Sequence, residues 1–181
     1  MLAVASVFII KGFIEKEILE IRHSQYPLKY MDSVEKYSEE YNIDKYLLLS
    51  LIKTESGFDP NAVSSVGAIG LTQITEITFD WIDSKINPEE EYVFEDLYNP
   101  DISIRYSAYY ISKCLERYSG DRDTAMAAYH SGWGTVDSLL EEYETEILTE
   151  FPYPQMANYV YKINKAYDAY QELYVNTEGE N

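Results

Sequence analysis

The sequence holds one cysteine, Cys114, in 181 residues, which excludes an intrachain disulfide and any cysteine-rich metal site. Basic residues are scarce: 14 Lys and Arg stand against 32 Asp and Glu, giving a formal net charge of −18 and a pI near 4.3. A surface of that sign repels polyanions, which argues against nucleic acid and anionic membrane surfaces as partners. No internal repeat or low-complexity tract is present, and strand signals are few. The N-terminal apolar run, Leu2 to Ile10, is broken by Lys11 before Phe13 and Ile14, and falls short of the ~20 residues that span a bilayer. Its length suits a secretory apolar segment, yet no basic stretch precedes it and no clear small-residue cleavage site follows. Three readings remain for it: an anchor whose start lies upstream, a truncated signal, or an amphipathic packing segment.

What is present is an ordinary apolar fraction, 46% of residues, on a length that suits one domain with a real core. The pattern divides into an N-terminal segment over 1–26, a domain over 27–174 and a frayed tail over 175–181. Helical periodicity dominates the domain. Helices are predicted over Ser33 to Tyr41, from Asp44 to Ser56, within Leu71 to Ile86, and over Asp101 to Tyr118 with Ile104, Ala108, Ile111 and Leu115 on one face. Further helices follow over Asp121 to Tyr129, Thr135 to Tyr143 and Gln155 to Leu173. The expected fold class is all-α. Cys114 shares the apolar face of Ile111 and reads as an inert buried thiol. Glu89, Glu90, Glu91, Glu95 and Asp96 read as one solvated acidic loop, and most of the 19 tyrosines as core or surface residues at helical spacing.

One carboxylate stands apart. Asp44 is a suitable N-cap, and Leu48, Leu51 and Ile52 repeat at helical spacing after it. Glu55 lies four residues after Leu51 and three after Ile52, so it continues the buried face, while Lys53 points away. Gly57 and Pro60 stop the helix. Apolar surroundings and the negative end of a helix dipole both oppose ionisation there, so the carboxyl should hold its proton to higher pH than usual. Such a group can serve as a general acid.

Ordered partners follow. Ser64 comes nine residues after Glu55 and Gln73 nine after Ser64, with Gly67, Ala68 and Gly70 between them allowing close backbone approach. The pair Glu55-Ser56, the later Ser64 and the turn Gly70-Leu71-Thr72-Gln73 resemble the signature of the soluble-type lytic transglycosylase (SLT) domain, a lysozyme-like family that acts on bacterial peptidoglycan. Two more blocks resemble that family in the same order: Ala128-Tyr129-His130-Ser131-Gly132, and Pro152 to Ile163 with Tyr159-Val160.

The resemblance implies a single domain of short helices around a substrate cleft. It also implies cleavage between N-acetylmuramic acid and N-acetylglucosamine by one acid, Glu55, acting as acid and then base. In that scheme the substrate's acetamido group stabilises the sugar cation and its 6-hydroxyl closes a 1,6-anhydro ring. Ser64, Gln73, Tyr129, His130 and Tyr159 are the implied substrate-binding residues, Tyr129 carrying the hydroxyl that reaches the reacting centre. Ser56, Gly70 and Leu71 hold the site. Asp59, Glu76 and Asp101 could each be offered as a second carboxylate, but none occupies a matching position.

Three residues depart from the family pattern. Thr72 replaces a methionine and should remove an apolar floor for a sugar. His130 replaces an asparagine and would titrate near neutrality. Gln155 replaces a glutamate and loses a negative contact. The implied partner is the glycan strand of peptidoglycan, with no cofactor, no metal and a monomeric state. The implied location is the cell envelope, outside the cytoplasm, either membrane-anchored through the N-terminus or secreted. The acidic surface fits awkwardly with walls that carry anionic polymers. Other readings are a lysozyme-type hydrolase of the same fold and a non-catalytic wall-binding module.

Overall fold

The computed structural model describes residues 2–86 and 91–175, with side chains from residue 10 onward. The side chains of Leu2 to Ile9, Glu89, Glu90 and the tail over 176–181 therefore lie outside the described residues. Among the described residues eight α-helices run in order: α1 Leu2–Gln25, α2 Met31–Glu40, α3 Lys45–Ser56, α4 Glu76–Ile86, α5 Pro100–Arg117, α6 Arg122–Ser131, α7 Trp133–Glu142 and α8 Pro154–Tyr174. A short 3-10 helix, Phe94–Tyr98, precedes α5. Among the described residues there is no strand, only isolated bridges pairing Val63 with Ile69 and Ile69 with Ile74. The chain is all-α.

The centre of the fold is α3. Its residues Leu47, Leu48, Leu49, Ser50, Leu51 and Ile52 are all buried, so the helix is apolar nearly all round and must be enclosed. It is enclosed by α8, α2 and α5. The Asp44 carboxylate accepts from the Tyr46 amide at 2.7 Å and starts the helix. At the other end Gly57 takes a left-handed φ of 62° and returns its N–H to the Lys53 carbonyl, a glycine C-cap. Buried Ser50 satisfies its hydroxyl on the Tyr46 carbonyl, 2.6 Å away.

The partner helix α8 presents Met156, Tyr159, Val160, Ile163, Ala166, Tyr170 and Leu173, all buried, at spacings of three and four. Pro154 begins it, where a missing N–H costs nothing. Helices α5 and α6 start on Asn99 and Asp121, each accepting a first-turn amide. Ile104, Ala108 and Ile111 are fully buried on α5, and Leu115 packs at the core's edge.

Three helix starts differ from the periodic reading, the first being that of α2, which begins at Met31, two residues before Ser33. Leu71 to Thr75 is not helical; α4 begins only at Glu76. Gln73 has a φ of 51°, and the Ile69 amide bonds to the Ile74 carbonyl, so the backbone here folds on itself and cannot enter a helix. Helix α7 begins at Trp133, two residues before the periodic signal, because Gly132 turns the chain at a φ of 81°. Glu95 and Asp96 belong to the 3-10 helix rather than to a loop, and the Asp96 carboxylate accepts from the Val93 amide.

Helix α1 is continuous through Lys11 and Gly12. Its described apolar side chains, including Ile10, Phe13, Ile14, Ile18 and Ile21, are exposed. Its last turn is tied to the domain: Arg22 pairs with Glu172, Lys53 donates to the Gln25 carbonyl, and Tyr174 donates to the Tyr26 carbonyl at 2.7 Å. Among the described residues no helix is long and apolar enough to cross a membrane.

Gly70 is the glycine the fold cannot replace. It has a φ of 77°, and a Cβ there would run into the Leu97 carbonyl oxygen. Gly57 is equally left-handed but faces open space. Gly70→Ala should therefore lose more than about 3 kcal/mol, while Gly57→Ala loses about 1 kcal/mol, as read from urea midpoints at unchanged slope.

Candidate active site

Glu55 sits on the last turn of α3, half-buried, on a cavity of about 420 Å³. Ser64, Ala68, Gln73, Thr78, Tyr110, Tyr129 and His130 line the same cavity. Five chain segments meet there: the end of α3, the loop over 57–75, the start of α4, the middle of α5 and the end of α6. A larger cavity, about 700 Å³, lies between the α2–α3 turn and the end of α5, and holds none of the candidate residues.

Among the described residues the Glu55 carboxyl has one side-chain hydrogen-bond partner, the Tyr159 hydroxyl, which donates to Oε1 at 2.6 Å. Burial pushes the carboxyl up from an ordinary 4.5 to about 7, and the Tyr159 bond works the other way by favouring the anion. Lys53 is turned toward α1, with its ammonium 4.6 Å from the Tyr26 ring centroid. Among the described residues Glu55 is the only carboxylate on the cavity. Asp59 accepts from the Asn61 amide in its own turn, and Asp101 accepts from Ser33 and Tyr37 on α2. Glu76 is exposed at the start of α4.

The loop is held by its own polar side chains. Ser64 Oγ accepts from the Val66 and Ala68 amides, at 3.3 and 3.0 Å. Gln73 Nε2 donates to the Ala62 and Gly70 carbonyls, at 3.1 and 3.0 Å. Both partners are carbonyls, so the amide nitrogen must face them and Oε1 is the atom left for a ligand. Ser56 Oγ donates to the Leu71 carbonyl at 2.8 Å, fastening the end of α3 to the buried turn residue Leu71. Ser64 and Gln73 thus brace the loop while they line the cavity.

Tyr129 lines the cavity, while Tyr159 is buried and is not among the cavity residues. Tyr129 donates to the Thr72 carbonyl at 3.0 Å, and the hydroxyl that reaches the acid is that of Tyr159. The cause is the packing of α8 on α3, which brings Tyr159 beneath Glu55. Thr72 is also elsewhere than expected. It is fully buried, and its hydroxyl bonds Ser103 Oγ at 2.9 Å, so the side chain faces α5 and does not floor the cavity. His130 lies on the cavity rim with its ring stacked on Tyr159, centroids 4.3 Å apart and planes 13° from parallel. Partial burial and Lys162 hold its pKa below the usual 6.5. Gln155 is exposed in the first turn of α8 and is not among the cavity residues.

Sequence reasoning passed over Tyr110 and Thr78. Tyr110 lies on α5 one residue before Ile111, and its ring centroid is 5.2 Å from that of Tyr129. An aromatic next to the apolar face of α5 was the available signal.

A family model for the transglycosylase SLT domain matches residues 32–150. The chain belongs to the transglycosylase SLT domain family. It is 29% identical over 169 residues to the membrane-bound lytic murein transglycosylase C of Histophilus somni, covering 80% of this chain and 47% of that protein. The chain thus spans about half the length of the curated relatives it matches. Its fold is similar to that of the 70 kDa soluble lytic transglycosylase from Escherichia coli, with a TM-score of 0.79 at 21% identity over 90% of this chain and 27% of that one. Lytic transglycosylase Slt from Pseudomonas aeruginosa gives a TM-score of 0.72 at 23% identity, over 82% of this chain and 25% of its own.

The buried acid makes two measurable demands. Between pH 4.5 and about 7 the unfolded carboxyl ionises while the folded one keeps its proton. Stability therefore falls across that window, by about 1.4 kcal/mol per pH unit at most. Glu55→Gln removes the penalty, so its thermal midpoint should exceed that of the parent protein near pH 8 and match it near pH 4. Removing the Tyr159 hydroxyl acts on the same proton. Tyr159→Phe deletes a bond to the anion, so the titration of Glu55, followed by carboxyl-carbon NMR, should move to higher pH.

Proposed function

We propose that this chain is a peptidoglycan lytic transglycosylase that cleaves the β-1,4 bond from N-acetylmuramic acid to N-acetylglucosamine with one catalytic carboxyl, Glu55. The observation that carries this reading is a half-buried carboxyl, protonated up to about 7, and the only carboxyl among the described residues that line its cavity. The names of its relatives, lytic murein transglycosylases, support the same substrate.

Glu55 enters the reaction as the acid. It gives its proton to the bridging oxygen as the C1–O bond breaks and positive charge builds on the muramic sugar. The sugar's own acetamido oxygen neutralises that charge by closing on C1. Glu55, now a carboxylate steadied by the Tyr159 hydroxyl, takes the proton of the sugar's 6-hydroxyl. The 6-oxygen then attacks C1, expels the acetamido oxygen and closes a 1,6-anhydro ring. The proton returns to Glu55, no water is consumed, and no second carboxylate is needed. Ser64, Gln73 Oε1, Tyr129 and His130 supply the polar and aromatic edges against which the two sugars are placed. The substrate puts the site of action at the cell envelope, with a monomer sufficient for the chemistry and α1 the segment available for attachment.

A hydrolase of the same fold would deliver water in place of the 6-hydroxyl, and a wall-binding module would cut nothing. Mass spectrometry of muropeptides released from purified walls separates all three. Products lighter by one water are expected, and reducing ends throughout would sink the anhydro route. Glu55→Gln should slow clearing of wall suspensions by about 10²–10⁴-fold while wall binding persists. Clearing at the parental rate would remove Glu55 from the mechanism.

A further inference from the structure

Tyr159 touches a second titratable group besides Glu55. His130, in the last turn of α6, lays its ring on the phenol with centroids 4.3 Å apart and planes 13° from parallel. The hydroxyl of the same phenol bonds Glu55 Oε1 at 2.6 Å. Tyr159 is buried in the core, so the acid and the imidazole are held against two parts of one fixed side chain. Both also line the cavity of about 420 Å³. Among the described residues on that cavity, His130 is the only one whose unperturbed pKa lies between about 5 and 8. The chain has one other histidine, His23, at the base of α1 with Nδ1 2.9 Å from the Tyr174 hydroxyl.

The surroundings of the ring fix when it carries charge. On α8, Lys162 is a positive neighbour that disfavours the imidazolium, and partial burial does the same. The negative end of α6 acts in the opposite sense. On α3, Glu55 keeps its proton up to about 7, so it is uncharged while the imidazole titrates. The loop over 57–75 brings one charged side chain, Asp59, which accepts from the Asn61 amide in its own turn. Glu76 is exposed at the start of α4. Between α5 and α7, Arg117 and Asp137 bind each other, and Lys113 pairs with Glu116 on α5. On α6 itself Arg122 and Asp123 stand at the far end and pair together. Below the His130 transition the cavity wall therefore carries one positive charge, and above it none until Glu55 ionises.

That charge opposes both halves of the reaction. As the C1–O bond breaks, positive charge builds on the sugar inside this cavity, and an imidazolium on the same wall repels it. An imidazolium also steadies the Glu55 carboxylate, which weakens it as the base for the 6-hydroxyl proton. We propose that His130 sets the acidic limit of the reaction, permitting cleavage when neutral and slowing it when protonated. The proposal rests on the glycan-cleaving reading above and gives the same site a second titrating control. Glu55 must hold its proton while His130 has lost its own, so the working range lies between the two transitions.

The experiment measures initial rates of wall clearing from pH 4.5 to pH 8 and, in the same proteins, the imidazole NMR signals. The parent's rate should fall about tenfold from pH 6.5 to pH 4.5, following the imidazole signal that His130→Gln deletes. His130→Gln should keep its rate at pH 4.5 within about twofold of its own rate at pH 6.5, while still losing activity as Glu55 ionises. Lys162→Gln, an exposed substitution on α8, removes the charge that disfavours the imidazolium. In that variant the His130 signal and the acidic fall in rate should move together to higher pH. An acidic fall that persists in His130→Gln would overturn the proposal. So would a His130 signal that moves in Lys162→Gln while the rate profile stays, or a parent rate that does not fall on the acidic side. Those outcomes leave the reaction standing, since each is read from a protein that clears walls. A parent protein that clears no walls at any pH would sink the reaction and this proposal with it.

Discussion

The architecture turns on one hydrogen bond between residues 104 positions apart, from the Tyr159 hydroxyl to the Glu55 carboxyl. It joins the two helices with the most extensive packing, α3 and α8, at the place where α3 emerges from the core. A carboxyl in that position is costly to ionise, and only a donor fixed from below keeps the anion accessible at all. Burial raises the proton affinity; the tyrosine limits the rise. The opposition of those two effects leaves a group poised near neutrality rather than one permanently neutral.

Much of this was legible in the residues. Asp44 and Gly57 mark the ends of α3 by ordinary capping chemistry, and Leu48, Leu51 and Ile52 point to the face that Glu55 continues. Positions 55, 64, 73 and 129 do converge on one cavity. What could not be read was the interior of the loop over 57–75. Its shape depends on Gln73 reaching back to the Ala62 carbonyl and on a left-handed backbone at Gln73 itself, neither of which leaves a periodic trace. For the same reason Thr72 looked like part of the cleft, when its hydroxyl is taken up by Ser103. That the hydroxyl on Glu55 belongs to Tyr159, while that of Tyr129 goes to the Thr72 carbonyl, could not be read either, because order along a chain does not say which hydroxyl a helix packing will bring to a carboxyl.

The distribution of charge is as informative as its total. The net charge is −18, and among the described residues most of the acids are exposed, while the side chains that line the cavity around Glu55 are neutral. Glu55 is thus shielded by distance and by low polarity from the acids around it, and its proton affinity is set by burial rather than by the surface field. Salt should alter how the whole protein approaches a charged polymer more than it alters the acid.

Helix α1 has a mechanical meaning. With 24 residues it is a rod of about 36 Å, at 1.5 Å per residue. Its base is clamped by Arg22, Lys53 and Tyr174 onto the same two helices, α3 and α8, that carry the acid and its tyrosine. A flexible tether would fix only how far the cleft could wander. A stiff lever seated on those helices also fixes its heading, so that whatever the far end meets would set the angle at which the cleft faces a strand.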